Sequence, residues 1–184
     1  MNLYDAEKIL SEAGIDDAEF ECRLLAERFL DIPMSRSAYM KTGQLDSMPD
    51  FGEFVRALEK RATRYPLQYI IGEWEFYGLP FYVGEGVLIP RQDTETLVET
   101  AVRFLRERPG VSGAADLCAG SGCVGITLAK LTGIPVKLLE LSEQALGYLR
   151  RNIALNGAEE LCEAMHADVL SDDTAAGMPQ LDLI

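Results

Sequence analysis

The run Gly120-Ser121-Gly122-Cys123-Val124-Gly125 matches G-x-G-x-x-G, a pattern whose glycines let the backbone approach a ligand closely. A helix starting there would present free N–H donors to that ligand. Asp116 lies just ahead of the loop, and Glu140 falls at the end of the next predicted strand, where its carboxylate can accept both hydroxyls of a ribose. In this setting the pattern implies a nucleotide-like ligand; the plain alternative is a tight turn followed by a solvated acid. The charge of Asp116 separates the candidates. Beside a pyrophosphate the carboxylate would repel its ligand, whereas beside S-adenosylmethionine it would face an ammonium and a sulfonium. Unlike charges a few ångströms apart are worth on the order of a kcal/mol or more, so Asp116 favours the sulfonium donor over a dinucleotide. Asp168 is placed at the end of a third strand, where it can accept a hydrogen bond from the exocyclic amine of adenine, or act as a simple turn former in His166-Ala167-Asp168-Val169.

Other chemistries find little support. Cys22, Cys118, Cys123 and Cys162 form no C-x-x-C pair, and His166 is the only histidine, so no zinc-ligand spacing is present and no metal is expected. The cysteines read as free thiols of a reducing compartment. The chain has 184 residues and a formal net charge of −13, which argues against an open nucleic-acid surface. Apolar residues make up 48% and charged residues 26%, enough to build a core. No apolar run approaches the ~18 residues of a membrane span. The residues from Met1 to Lys8 lack the basic start and apolar stretch of a secretory signal, so a cytoplasmic location is expected.

The elements that must position these groups are legible in outline. A first helix is expected from about Leu3 to Ala13, stopping at Gly14. Asp16 with Glu19, and Asp50 with Glu53, have capping-box spacing before two amphipathic stripes: Ala18, Cys22, Leu25 and Phe29, then Phe51, Phe54, Val55, Leu58 and Ala62. Between them, Ile32 to Pro49 reads as irregular. Two aromatic runs, Glu73 to Tyr77 and Pro80 to Val83, suggest a β-hairpin turning at Gly78-Leu79. A helix capped by Asp93 should bury Leu97, Val98, Ala101, Val102 and Leu105 and end near Pro109-Gly110. From Val111 the order is strand (Ala114 to Cys118), loop, helix (Val124 to Leu131), strand (Val136 to Glu140), helix (Glu143 to Asn156) and a weak strand (Ala164 to Ala167). Leu181 to Ile184 would begin a fourth strand. Alternating β and α with short connections predicts an α/β, doubly wound parallel sheet, Rossmann-like and incomplete at its C-terminal end. The expected division is a helical domain over 1–71, a hairpin linker over 72–90 and a donor-binding domain over 91–184.

Taken together, these residues resemble the release-factor glutamine methyltransferases, also called HemK-like N5-glutamine methyltransferases. The likeness rests on Pro66-Leu67-Gln68-Tyr69-Ile70-Ile71-Gly72 and the aromatic hairpin, Leu88 to Glu95, Asp116 to Gly122, and Glu140-Leu141-Ser142. The resemblance implies a class I methyltransferase domain that uses S-adenosylmethionine, and a helical domain that helps hold a protein substrate. That substrate would be a peptide-chain release factor, methylated on the side-chain amide of its Gly-Gly-Gln glutamine. Carried over by position, Cys118, Ala119, Gly120, Ser121 and Gly122 would line the methionine end of the donor. Glu140, with Leu141 beside it, would hold the ribose, and Asp168 with Val169 would border the adenine. Arg91 or Thr94 would bind the methionine carboxylate, or else cap the helix that follows. Cys118 stands where the family usually has Gly, and Glu140 where it usually has Asp. The family's Asn-Pro-Pro-Tyr segment, whose Asn and proline carbonyl fix the amide nitrogen in line with the methyl, does not occur in the 184 residues, so no catalytic residue is assigned and the chain is expected not to transfer methyl as written. Three rival readings remain at this point: a nucleic-acid amino-methyltransferase, an NAD-dependent dehydrogenase and a non-catalytic interaction module.

Overall fold

Apolar residues at helical spacing make the first part of the chain helical, with α1 at Leu3–Glu12, α2 at Ala18–Leu30, a single turn α3 at Met34–Ser37, α4 at Phe51–Ala62 and α5 at Leu67–Ile71. This computed structural model describes residues 1–37, 43–108, 110–111, 113–177 and 183–184, with two compact units at Met1–Ile71 and Gly72–Ile184. In the first unit Leu3, Leu10, Cys22, Leu25, Phe54 and Leu58 are buried together in one core.

The caps differ from expectation. α2 is capped by Asp17, α4 by Asp50 in the left-handed conformation, and neither makes a side-chain cap bond. The expected acids are engaged elsewhere on their own helices, Glu19 with Arg23 and Glu53 with Arg56. Opposite charge at i+4 or i+3 outcompetes a reach back to the helix start. The reciprocal box sits instead on α1, where Asn2 Oδ1 accepts from Asp5 N at 2.9 Å and Asp5 Oδ2 accepts from Asn2 N at 3.0 Å. The stretch from Ile32, expected to be irregular, includes α3.

Arg61 of α4 forks onto Glu21 of α2, with Nη2 2.9 Å from Oε1, and Nη1 donates to Tyr65 O at 3.1 Å. Both side chains are only 15% exposed. Arg61→Met keeps the apolar stem but leaves Glu21 half-buried and unpaired. It is expected to cost about 2 kcal/mol, below the range for a fully buried pair because some solvent reaches this one. Urea unfolding followed by helical circular dichroism checks this.

The second unit opens with the hairpin of β1 (Glu73–Phe76) and β2 (Leu79–Tyr82), paired antiparallel with Phe76 opposite Leu79. The turn is therefore Tyr77-Gly78, one residue earlier than expected. Both residues have positive φ, +53° and +74°, as a two-residue hairpin turn that follows the strands' twist requires. A 3-10 turn at Gln92–Thr94 takes up Asp93, so Thr94 precedes α6 (Glu95–Arg106) and makes no side-chain cap bond. Val98, Val102 and Leu105 are buried as expected, but Leu97 is 56% exposed and lies off the packed face. α6 ends at Arg106, and Pro109 lies outside the described residues.

The rest alternates: β3 (Ala114–Leu117), α7 (Cys123–Thr132), β4 (Val136–Glu140), α8 (Glu143–Leu155), β5 (Cys162–His166) and the short α9 (Asp172–Gly177). β5 starts two residues before the strand read from the sequence. The three strands form a parallel sheet in the order β3-β4-β5, with Ala114 opposite Val136 and Val136 opposite Cys162. The fold is thus α/β with a parallel sheet and a helical N-terminal unit, as expected. Of the anticipated fourth strand, Leu181 and Asp182 lie outside the described residues, while Leu183 bridges Ala114 in parallel and its carbonyl accepts from Ala115 N at 2.9 Å. Successive strands therefore step away from β3 on one side, and the chain then returns to β3's other edge. The carboxyl end of β3 is the point where strand order reverses, which is where open α/β sheets form their ligand crevice.

Candidate functional site

At that reversal point the chain leaves β3 through Asp116 and Leu117 into the glycine loop. Cys118, Gly120 and Gly122 have φ of +61°, +56° and +80°. The left-handed region suits glycine, so Cys118 carries local backbone strain on the order of a kcal/mol. Ala119 is buried and continues the ladder by donating its N–H to Leu139 O at 2.9 Å. Ser121 is buried at 3% exposure.

Two carboxylates organise the loop. Asp116 Oδ2 accepts from Gly125 N at 2.9 Å, and Glu140 Oε2 accepts from Gly120 N at 2.8 Å. The other oxygen of Glu140 accepts from Ser142 N at 2.8 Å. The longer glutamate arm folds back onto the loop, and each of its oxygens retains a second lone pair for a further donor such as a ribose hydroxyl. Gly122 N is also used, donating to Ala119 O at 2.7 Å. The N–H groups of all three motif glycines thus have partners within the protein, which leaves none of those three for a phosphate.

Burial is the main cause that lifts the Asp116 carboxyl from 3.8 to about 6; the Gly125 N–H works against it, and the negative charge of Glu140 adds to it. Burial likewise raises the thiols of Cys123 and Cys162 to about 11, with the charge of Asp116 contributing to both. Both thiols are thereby held in the protonated form at neutral pH. The acceptor set as a whole fits a ligand that is cationic and carries hydroxyl and amine donors.

At the same end of the sheet, His166 Nε2 lies 2.8 Å from Leu141 O, and Ala167 N donates to Glu140 O at 3.1 Å, which brings the carboxyl ends of β4 and β5 together. Leu141 is 59% exposed. Asp168 is exposed and its Oδ1 accepts from Leu170 N at 2.9 Å, an Asx turn; Val169 beside it is half-buried. The Asx turn engages only Oδ1 of Asp168. Arg91 and Thr94 stand apart in their hydrogen bonding: Thr94 N donates to Arg91 O at 3.0 Å, closing the 3-10 turn before α6.

Sequence reasoning missed Asn152 of α8, which is buried. Asn152 lies between Leu149 and Ile153 on the helix's inward face, and only its polar type disguised it. Its Oδ1 accepts from Tyr82 N at 2.7 Å, and its Nδ2 donates to Tyr82 O at 3.1 Å and to Ser121 O at 2.9 Å.

Residues 93–184, half of the chain, match the family model described as Methyltransferase small domain. The chain belongs to that family. Residues 3–72 match the PrmC N-terminal domain, so the resemblance drawn from the motifs is borne out. Similar curated proteins include the release factor glutamine methyltransferase of Fusobacterium nucleatum, 46% identical over 53% of this chain and 28% of that protein. The one from Bifidobacterium longum is 31% identical over 98% of this chain and 63% of its own length. The chain therefore spans less than two thirds of the relatives it matches. Among solved structures, precorrin-6y C5,15-methyltransferase from Geobacter metallireducens aligns with a TM-score of 0.46 and 22% identity, covering 56% of this chain and 52% of that one.

Proposed function

We propose that this chain provides the N-terminal domain and the donor-binding half of an enzyme that methylates the Gly-Gly-Gln glutamine amide of peptide-chain release factors, in the cytoplasm and in the service of translation termination. The observation that carries the reading is the occupation of the loop's glycine N–H groups by Asp116 and Glu140. A dinucleotide needs such donors for its pyrophosphate. A sulfonium donor needs negative charge instead. S-adenosylmethionine, when bound, supplies an electrophilic methyl on a positively charged sulfur.

The chain's own residues would hold it in this way. Asp116 and the loop from Cys118 to Gly122 take the methionine end, Glu140 with Leu141 takes the ribose, and Asp168 with Val169 borders the adenine. Arg91 or Thr94 is assigned to the methionine carboxylate on position alone. The helical unit, a match to the PrmC N-terminal domain in the same chain, is assigned to docking the release factor. No direct nucleic-acid contact is proposed, in keeping with the net charge of −13. Among the described residues no helix is long and apolar enough to cross a membrane.

Calorimetry on the 184-residue chain tests the donor assignment. S-adenosylmethionine is expected to bind with a Kd of about 1–100 μM, and NAD with none measurable at millimolar concentration. Tight NAD uptake without the sulfonium compound would overturn the assignment. The 184 residues contain no Asn-Pro-Pro-Tyr segment, so this chain is expected to bind donor and leave a release factor unlabelled by tritiated S-adenosylmethionine.

A further inference from the structure

Strand β2 and the stretch after it are held along α8 and its C-cap residue by a series of polar contacts. Asn156 Nδ2 donates to Pro80 O at 2.9 Å, and Gln144 Nε2 donates to Glu85 O at 2.7 Å. The guanidinium of Arg151 lies 4.5 Å from the centre of the Tyr82 ring. A Cβ at Gly84 would sit 2.0 Å from the Tyr148 hydroxyl, so backbone and helix are in close approach there. Among these contacts Asn152 is different in kind. It is fully buried, it matches both backbone groups of Tyr82 as a neighbouring strand would, and the same carboxamide also reaches Ser121 O in the glycine loop. A second point joins the same two segments, since Val87 Cγ2 lies 3.9 Å from where a Cβ on Gly120 would stand.

We propose that Asn152 is a positioning residue that couples the donor loop to the β-hairpin, so that filling the loop fixes the hairpin and displacing the hairpin loosens the loop. The physical reason is that one planar amide cannot satisfy Tyr82 and Ser121 unless both backbones keep their present separation. The bond to Ser121 O is buried and the two to Tyr82 are partly so, and a buried carbonyl left unmatched is costly. The inference rests on the donor-site reading above and adds a partner for that site within the chain.

The hairpin carries its own reporter. Trp74, the only tryptophan, lies on β1 opposite Phe81 of β2. In the wild-type chain, saturation with S-adenosylhomocysteine is expected to shift Trp74 emission. Asn152→Asp keeps the acceptor for Tyr82 N and loses both donated bonds. It is expected to raise the Kd for S-adenosylhomocysteine about tenfold and to abolish the Trp74 response, a coupling of ordinary size for linked sites. Asn156→Leu removes the hairpin contact to Pro80 O and the bond from the same Nδ2 to the backbone carbonyl of Asn152, but leaves the Asn152 carboxamide and its bond to the loop in place. It is expected to lower the unfolding temperature at least as much, while the Kd stays within about twofold and the Trp74 response persists, which a purely structural role for Asn152 would not produce.

Equal Kd changes in the two variants, or an unchanged Trp74 response in Asn152→Asp, overturn the coupling. If Asn152→Asp does not fold, the wild-type titration decides: binding without any Trp74 change overturns the proposal, and a saturable change that follows occupancy supports it. A wild-type chain that takes up no S-adenosylhomocysteine fails the donor-site reading first and takes this inference with it.

Discussion

Asp116→Asn is expected to weaken S-adenosylmethionine binding by about thirtyfold, the equivalent of ~2 kcal/mol, while the chain stays folded. Asparagine keeps an oxygen for the Gly125 N–H, so the loop's hydrogen bond at 2.9 Å has a replacement acceptor and only the charge is removed. The pH dependence gives a second readout. With its carboxyl raised from 3.8 to about 6, the folded chain holds a proton on Asp116 that the unfolded chain has released. The resulting stability is fully present below pH 3.8 and is lost as pH rises through about 6, so this group makes the wild type less stable at neutral pH than below 3.8. The Asn variant lacks that loss and is expected to be the more stable protein at pH 7. Binding runs the other way. A cationic donor favours ionised Asp116, so wild-type affinity should climb between pH 5 and about 6.5 and then level, with proton release on binding below that. The Asn variant should show a flat profile. Calorimetry in buffers of different ionisation enthalpy measures both, and equal affinity in the two proteins at pH 7 would remove the electrostatic basis of the donor assignment.

Gly125→Ala is expected to be the more damaging change to the fold. A Cβ at this position would lie 2.3 Å from Leu138 Cδ2 and 3.0 Å from both Cβ and Oδ2 of Asp116. Leu138 is fully buried in β4, so it has no space into which to retreat. Helix α7 must then lift from the sheet, and the Gly125–Asp116 bond opens with it. Overpacking of this kind costs about 3 kcal/mol, or a fall in Tm of roughly 10 °C for a unit of this size. Donor binding should be lost in the same variant. Gly147→Ala provides the contrast, because nothing lies within 4 Å of a Cβ there and the residue is inside α8. It should leave Tm unchanged or raise it by a few degrees, since alanine is the better helix former by about 1 kcal/mol. Thermal unfolding of the two variants side by side distinguishes a packing requirement from a general intolerance of methyl groups.

Much of the fold was legible because period and punctuation are local properties. The strands Ala114–Leu117 and Val136–Glu140 were read to within a residue, as were α7 and α8, because glycines and apolar runs bracket them. Helix caps were not. Asp16–Glu19 and Asp50–Glu53 have the spacing of a box, but Glu19 and Glu53 have arginines within one turn that compete for them. Asp5 has Lys8 three residues on, but Lys8 pairs with Glu12, and the reciprocal bonds between Asn2 and Asp5 form. Leu97 shows the same limit for burial: a stripe fixes which face is apolar, while the neighbouring layer decides how wide a part of it is covered.

The sequence by itself determined the make-up of the candidate site: a glycine loop between strand and helix, with Asp116 before it and Glu140 after it, because residue type and spacing suffice to place these on one loop and two strand ends. Only the tertiary structure decided what the loop's N–H groups do, since Gly120 meets Glu140 only when β3 and β4 lie side by side, and Gly125 meets Asp116 only when α7 folds back against β3. It also decided where the crevice falls, through Leu183 returning to the far edge of β3, and that Asn152 joins Tyr82 to Ser121 across 70 and 31 residues of chain. Contacts between residues so far apart leave no periodic trace along the chain, because their geometry is set by the packing of whole elements on one another.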